Sequence, residues 1–143
     1  MSQATLRIAL GADHGALDLK NALVAHLSGK GHEVQDLGTE TKESCNYADF
    51  ANAVARTVAD GTSDFGFLAC TSGIGMSIAA DRHRHVRAAV VRTVDEAKTT
   101  REHNDANVLC FSGKNTTAEE AVAMVDAFLA ASFEGGRHEA RVI

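Results

Sequence analysis

Apolar and polar positions along the chain follow two alternating periods. Short runs rich in β-branched and other apolar residues are followed by longer stretches in which apolar residues recur every three or four positions. The short runs predict strands, and the longer stretches predict helices that pack through one face. Five strands are expected, at residues 5–11, 32–37, 64–70, 86–91 and 107–111, and the fourth (VRAAVV) has the pattern of an almost completely buried strand.

Helices are expected between and after these strands, at residues 16–27, 47–60, 74–81, from 93 to about 103, and from 116 onward. Gly61 is placed to end the second helix. The pairs Thr93 with Glu96 and Thr116 with Glu119 have the spacing of a capping box, which predicts the starts of the last two helices.

Strand and helix therefore alternate five times, which predicts a parallel sheet with helices on both faces. The expected fold is a three-layer α/β/α, Rossmann-like domain with a five-stranded parallel sheet. No linker, repeat or low-complexity stretch divides the sequence, so residues 1–143 are expected to form a single domain.

Composition and charge exclude several classes of protein. The 143 residues carry 14 Lys+Arg against 19 Asp+Glu, a net charge of -5, which argues against a nucleic-acid binder. No apolar run approaches the ~20 residues needed to cross a bilayer, and the start of the chain does not resemble a signal peptide. The 3 cysteines are widely spaced and form no CxxC motif, which favours reduced thiols and a cytoplasmic location.

The most informative segment is the run CTSGIGM at residues 70–76, between the third strand and the third helix. Two glycines and two hydroxyl residues at a helix N-terminus form a backbone cradle suited to an anion. Cys70 stands at the start of this run, where the helix dipole favours the thiolate form of its side chain. The alternative is that Cys70 is only a small buried residue at a strand end.

Two well-known motifs do not fit this segment. A dinucleotide-binding fingerprint would need glycine where Ile78 stands, and it would follow a first strand rather than a third. A cysteine phosphatase would need arginine where Met76 stands. The segment therefore suits an anion without belonging to either class.

Ligands of open α/β sheets bind beyond the carboxyl ends of the strands. By this rule Asp13 and His14, after the first strand, and Lys114, after the fifth, are further candidates. Asp13 could instead serve only to cap the first helix.

Cations are concentrated near the C-terminus of this acidic chain. Arg137 and Arg141 are four residues apart, so on a helical turn they would point the same way and could hold one phosphate group. The alternative is a frayed, solvated terminus.

His103 and Asn104 end the fourth helix, just before the fifth strand. A strand of this length spans about 17 Å, so His103 is expected at the opposite edge of the sheet from Cys70. The two could share a site only if a second subunit supplied one of them. This geometry predicts a homodimer with composite active sites.

Several segments together resemble the sugar-phosphate isomerase family that includes ribose-5-phosphate isomerase B and the galactose-6-phosphate isomerase subunits. They are GADHGALDLK, NYADFA, CTSGIGMSIAA, REHNDANVL and FEGGRHEARV, and they occur in order along essentially the whole chain. The resemblance implies interconversion of an aldose phosphate and a ketose phosphate through an enediolate, as in the pentose phosphate pathway, with no metal and no organic cofactor.

The resemblance also implies roles for individual residues. Cys70 matches the base that moves a proton between C1 and C2, and His103, helped by Asp13, matches the group that opens the sugar ring. Ser72 and the loop amides would stabilise the enediolate oxygen. The remaining matches are to residues that bind the substrate: His14, Tyr47, Thr71, Gly73, Ile74, Gly75, Asn104, Lys114, Arg137 and Arg141.

Three positions depart from the usual family pattern. Met76 replaces the glutamate that one branch uses as its base, which places this chain with the cysteine branch. Lys114 stands where arginine is common, and Ala48 replaces a proline after the pocket tyrosine.

The resemblance leaves alternatives open. The expected substrate is ribose 5-phosphate, with allose 6-phosphate or galactose 6-phosphate as six-carbon alternatives. A non-catalytic sugar-phosphate sensor is the less favoured interpretation. The expected partners are the sugar phosphate and a second copy of the chain, reached by residues 133–143, with neither nucleic acid nor membrane. Whether dimers pair into tetramers is left open.

Overall fold

The computed structural model describes residues 4–142. Its strands are β1 (Arg7–Ala12), β2 (Glu33–Asp36), β3 (Phe65–Cys70), β4 (Ala88–Val90) and β5 (Val108–Ser112). Its α-helices are α1 (Leu17–Gly29), α2 (Tyr47–Ala59), α3 (Ile74–Asp81), α4 (Val94–Asn104) and α5 (Ala118–Ala130). Two 3₁₀ helices span His14–Ala16 and Gly136–Arg141. Residues 1–3 and 143, the ends of the predicted domain, lie outside the described residues.

The five strands form one parallel sheet in the order β2-β1-β3-β5-β4. This confirms the predicted three-layer α/β/α class. The ends of β1, β3 and β5 are level, because Ala12 pairs with Ala69 and Cys70 pairs with Ser112. The loops that follow these three strands therefore meet at one edge of the sheet, which we call the carboxyl edge.

The helices divide into two layers. Helices α1, α4 and α5 cover one face of the sheet, and α2 and α3 cover the other. The first face is closed by the aromatic side chains of Phe67, Phe111 and Phe128, each about 1% exposed or less. The second is closed by smaller residues, among them Val54, Met76 and Cys110.

The prediction of an almost completely buried fourth strand was wrong. Regular pairing covers only Ala88–Val90, and these residues are half-buried, although the flanking Val86 and Val91 are buried. The reason is the position of β4, which pairs only with β5 and so occupies an edge of the sheet. A run of apolar residues shows that a strand packs against a core but does not show whether it has one neighbour or two.

The two capping predictions also needed correction in detail. Helix α5 starts one residue later than expected, because its capping box joins Thr117 to Glu120 rather than Thr116 to Glu119. At α4 the hydroxyl of Thr93 accepts the Glu96 N–H at 3.0 Å, as predicted. The Glu96 carboxylate, however, accepts the N–H of Arg92, so that box is only half formed.

Among residues 4–142, none of the helices combines the length and the apolar character that crossing a membrane requires.

Candidate functional site

Cys70 ends β3 with its side chain enclosed, at only 5% exposure. Its Sγ accepts a hydrogen bond from the backbone N–H of Gly73 at 3.1 Å. Gly73 is also the residue that precedes the first turn of α3. The sulfur thus lies next to a backbone donor at the positive end of a helix.

The two glycines of the Cys70 loop (residues 70–75) are required by close contacts. Gly73 has φ of 79°, and a Cβ there would lie 2.9 Å from the carbonyl oxygen of Phe111. At Gly75 a Cβ would lie 2.6 Å from a ring carbon of Tyr47. The loop is thus pressed between the end of β5 and the tyrosine ring, with Tyr47 beside it as the resemblance implies.

Some polar groups of the Cys70 loop form hydrogen bonds within the protein, and others remain available to a ligand. The Ser72 hydroxyl oxygen accepts the N–H of Ile74 at 3.2 Å, which leaves its proton available to a ligand oxygen. The Thr71 carbonyl accepts the Ser112 hydroxyl at 2.7 Å and the Lys114 N–H at 3.2 Å. These two bonds tie the loop to the segment that carries Lys114, whose side chain is exposed.

Asp13 and His14 follow β1 at the same edge. The Asp13 carboxylate accepts the Gly15 N–H at 3.0 Å, so it caps the first 3₁₀ helix, and its role toward the sugar ring stays a prediction. The His14 Nδ1 accepts the N–H of Cys45 at 3.3 Å, which fixes the direction of its ring.

A cavity of about 330 Å³ opens beside these residues. It is lined on one side by His14 and Lys42 and on the other by Gly113, next to Lys114. Asp18 also lines the cavity and pairs with Lys42 at 3.2 Å, so the basic groups left at this edge for a phosphate are His14 and the nearby Lys114. Lys42 carries no signal in the sequence, because it lies in an irregular loop far from any motif.

His103 lies at the other edge of the sheet, which we call the amino edge. It belongs to the last turn of α4, before β5 begins at Val108, and Val108 pairs with Gly66. Cys70 pairs with the far end of β5, at Ser112. The predicted separation of His103 from Cys70 within one chain is therefore confirmed.

At the amino edge His103 joins two residues that sequence reasoning missed, Glu134 and His138. The Glu134 Oε1 lies 3.6 Å from the Nε2 of His103 and 3.7 Å from the Nε2 of His138. The two imidazole rings stack, with centroids 4.4 Å apart and planes 14° apart. The spacing of Glu134 and His138 hints at a shared turn, but nothing in the sequence connects them to His103.

His138 is nearly buried, at 5% exposure. Burial lowers its pKa below the usual value, and the nearby His103, Arg137 and Arg141 lower it further. Glu134 acts in the opposite direction, and the net effect favours the neutral form of the ring.

The C-terminal arginines belong to a segment that is hydrogen-bonded to α4, which favours a docked segment over a frayed terminus. The N–H of Glu134 donates to the carbonyl of Glu102 at 2.9 Å, and this bond docks the segment onto α4. Arg137 and Arg141 lie on the exposed side of a 3₁₀ helix. Residues four apart on such a helix are separated by about 120° around its axis, so the expectation that they point the same way was wrong.

Asn104 completes this edge. It is the last residue of α4 and is exposed, and its side-chain oxygen accepts the hydroxyl of Thr100 at 3.0 Å. The predicted site residues thus form two groups. Asp13, His14, Tyr47, the Cys70 loop and Lys114 gather at the carboxyl edge, and His103, Asn104, Arg137 and Arg141 gather at the amino edge.

The fold and the Cys70 loop define a Rossmann-like α/β/α protein with a glycine-containing loop at a helix N-terminus. Residues 8–143 match the family described as Ribose/Galactose Isomerase. The chain therefore belongs to the ribose/galactose isomerase family.

Individual relatives agree with this assignment. The chain is 45% identical to ribose-5-phosphate isomerase B of Escherichia coli over 95% of this chain and 91% of that protein. It is similar to the structure of a ribose 5-phosphate isomerase from Thermotoga maritima, with a TM-score of 0.95 and 45% identity over 97% and 96% of the two chains. The enzyme of Mycoplasma genitalium, in a structure with bound ribulose 5-phosphate, has a TM-score of 0.91 and 40% identity over 94% and 90%.

Proposed function

We propose that the protein interconverts ribose 5-phosphate and ribulose 5-phosphate by proton transfer through an enediolate. The observation that carries the proposal is the Cys70 sulfur, which accepts a backbone N–H at the start of α3 beside further amide donors. A base and an anion-stabilising loop are the two components that proton abstraction next to a carbonyl requires. The activities named for the relatives at 40% and 45% identity support the same reaction.

The Cys70 thiolate removes the proton from C2 of the open aldose, and the electrons move onto the oxygen at C1. The resulting enediolate is stabilised by the Ser72 hydroxyl and by N–H groups of the Cys70 loop. A proton passes from the oxygen at C2 to the oxygen at C1, and Cys70 returns its proton to C1. The products are the ketose and the original thiolate. Preorganised donors of this kind contribute about 3 kcal/mol each to lowering the barrier.

The phosphate group is held by cations from both edges of the sheet. His14 and Lys114 lie at the carboxyl edge, next to the cavity. Arg137 and Arg141 lie at the amino edge and are exposed. In our proposal a second copy of the chain brings these arginines, together with His103 and Asn104, to the Cys70 loop.

The proposed assembly is a homodimer with two shared sites. Besides the separation of Cys70 from His103, an apolar surface next to the Cys70 loop supports it. Ile74 and Ile78 lie one turn apart on α3 and are 48% and 53% exposed, and Tyr47 beside them is 40% exposed. Water-exposed apolar side chains grouped at the mouth of a site are typical of a surface that another chain covers. The 3 unpaired cysteines support a cytoplasmic location.

The test is proton NMR of the purified protein in heavy water with ribose 5-phosphate and, separately, with allose 6-phosphate. We expect ribulose 5-phosphate to form with deuterium incorporated, and Cys70→Ala to abolish both conversion and exchange. His103→Ala should lose conversion of the cyclic aldose. It should still exchange the C1 proton of ribulose 5-phosphate, because that ketose is open and needs no ring opening.

Each other outcome would change the assignment. Conversion of allose 6-phosphate alone would support the same mechanism and would assign a six-carbon sugar phosphate as the substrate. Unchanged exchange in Cys70→Ala would remove the proposed base. Binding of both sugars without exchange of either would replace the isomerase with a sugar-phosphate sensor.

A further inference from the structure

The cluster at the amino edge contains more metal-ligating groups than ring opening requires. One ring nitrogen from each of His103 and His138 and a carboxylate oxygen of Glu134 all lie within 4.8 Å of one another. We propose that these three side chains bind a divalent transition-metal ion, with Zn²⁺ as the best match, and that the bound ion inhibits the enzyme.

The donor set matches the preferences of zinc. Two imidazoles and one carboxylate are a common three-residue zinc set, and a fourth position is left for water. With bonds of about 2.0 Å and tetrahedral angles, ligand atoms lie about 3.3 Å apart. The carboxylate oxygen of Glu134 lies 3.6 and 3.7 Å from the two imidazole nitrogens, so these pairs need to close by only a few tenths of an ångström.

The three ligands come from two segments that the fold holds together. His103 belongs to α4, and Glu134 and His138 belong to the C-terminal segment. The Glu134 N–H bond to the Glu102 carbonyl, at 2.9 Å, and the stacked imidazole rings join the two segments directly. The ion therefore does not need to bring the two segments together. One imidazole must turn out of the stack to bind it, because the lone pairs of two parallel rings lie in separate planes and do not both point at one ion.

One neighbouring group opposes the ion. The guanidinium Nε of Arg137 donates to the Nε2 of His138 at 3.4 Å. This bond shows that the lone pair of His138 Nε2 is available, but the arginine must turn away before a metal can use it. Arg137 is exposed, so it can rotate into water. Glu134 is also half-exposed, which gives the ion a path into the cluster from solvent.

Inhibition rests on the proposed function of His103 as the ring opener. An imidazole whose Nε2 holds a metal cannot exchange protons at that atom. Zn²⁺ should therefore block the conversion of cyclic ribose 5-phosphate. The binding of the ion is independent of that function, because it requires only the three side chains.

The binding test uses the full-length Cys70→Ala protein, so that the Cys70 thiol does not compete for metal. Calorimetric titration with Zn²⁺ should show one ion per chain, and Co²⁺ should give the visible absorption of a tetrahedral site. Glu134→Gln and His138→Gln, each made in the same background, should each weaken Zn²⁺ binding at least tenfold.

Control variants separate this cluster from other histidines. His26→Gln removes a histidine that pairs with Asp126 at 2.8 Å between α1 and α5, and it should leave Zn²⁺ affinity unchanged. Glu134→Asp keeps the charge and should retain part of the affinity. If His138→Gln does not fold, the Zn²⁺ affinity of Glu134→Gln alone decides whether the cluster binds the ion. Unchanged Zn²⁺ affinity in Glu134→Gln would overturn the proposed site. An equal loss of Zn²⁺ affinity in His26→Gln and Glu134→Gln would also overturn it.

The inhibition test uses the wild-type protein and Glu134→Gln. Zn²⁺ should inhibit ribose 5-phosphate conversion in the wild type, and the inhibiting concentration should rise at least tenfold in Glu134→Gln. Binding at the cluster without inhibition would overturn the inhibitory role and weigh against ring opening by His103. Equal inhibition of both proteins would assign the effect to another group, such as Cys70, and overturn the proposal for this cluster.

Discussion

The two edges of the parallel sheet present polar groups in different ways. At the carboxyl edge, the Cys70 loop offers backbone N–H groups and short hydroxyl side chains, held in place by Gly73 and Gly75. At the amino edge, the polar groups are the ends of longer side chains. Arg7 pairs with Asp64 there, and Arg87 pairs with Asp105.

This difference separates two kinds of chemistry. Backbone donors are fixed by the strand pairing beneath them, so they suit a transition state whose charge appears at a defined point. Long side chains can move, so they suit tasks that require a change of position or protonation, such as ring opening and phosphate capture. The Cys70 loop and the candidate ring opener His103 lie at opposite edges, which is the reason for proposing a site shared between two chains.

The strongest test of this division mixes two inactive proteins. Cys70→Ala and His103→Ala, unfolded and refolded together in equal amounts, should recover about a quarter of wild-type activity toward ribose 5-phosphate. About half of the dimers would be mixed, and each mixed dimer would have one intact site. Activity is measured on the mixture and on each variant refolded alone. No recovery in a mixture shown by native mass spectrometry to contain mixed dimers would place Cys70 and His103 in separate sites.

The next test concerns the rigidity of the carboxyl edge. Gly73→Ala forces a side chain into a positive-φ conformation and against the Phe111 carbonyl, 2.9 Å away. We expect a loss of about 2 kcal/mol in the free energy of unfolding, together with a fall in kcat of about 100-fold as the donors move. Denaturant titration and steady-state kinetics measure the two effects.

Gly29→Ala is the matched control, because nothing lies within 4 Å of a Cβ at that position and Gly29 is in α1. It should leave kcat unchanged and raise stability by a few tenths of a kcal/mol. Wild-type kcat in Gly73→Ala would show that the loop geometry is not required.

The sequence predicted the carboxyl edge better than the amino edge, for a physical reason. The Cys70 loop is a contiguous run in which glycines report backbone conformation, so Gly73 and Gly75 could be assigned to it from residue types alone. The contact of Glu134 and His138 with His103 joins positions about thirty residues apart in a segment without regular periodicity. Residue types alone do not indicate such a contact.

Two errors in the predicted fold have the same origin. The apolar run around β4 indicated burial but not the number of neighbouring strands. The run TTAEE at residues 116–120 offers two equivalent capping boxes, and only the packing of Met124 and Phe128 against the sheet decides between them.

A smaller effect is expected at the exposed arginines of the amino edge. Arg137→Met should raise the KM for ribose 5-phosphate about tenfold, since a charge-assisted hydrogen bond contributes roughly 1.5–3 kcal/mol, and should change kcat little. Steady-state kinetics provide both values. Arg84→Met, an exposed arginine next to a different cavity, should keep the wild-type KM. An equal rise in KM for the two variants would indicate a general effect of charge rather than a phosphate contact.

The smallest effect concerns the ion pair of Arg7 with Asp64 at the amino edge, 3.0 Å apart. The hydrogen bond from the Arg7 guanidinium lowers the pKa of the Asp64 carboxyl below its usual value. The stability that this carboxylate contributes is therefore complete above about pH 4 and is lost as the pH falls through the lowered pKa.

Arg7→Met should reduce stability at pH 7 only slightly, because both side chains are partly exposed, and the reduction should shrink toward pH 2. Thermal unfolding across this pH range measures it. A difference in stability between Arg7→Met and the wild type that persists unchanged at pH 2 would have to come from packing rather than charge.

The strand order has a consequence for how the chain folds. β4 pairs only with β5, which follows it in the sequence, whereas β1, β2 and β3 can pair as soon as they have been synthesised. On the ribosome the first three strands can therefore assemble while β4 waits for α4 and β5 to emerge. β4 therefore cannot take its place in this sheet before β5 has been synthesised.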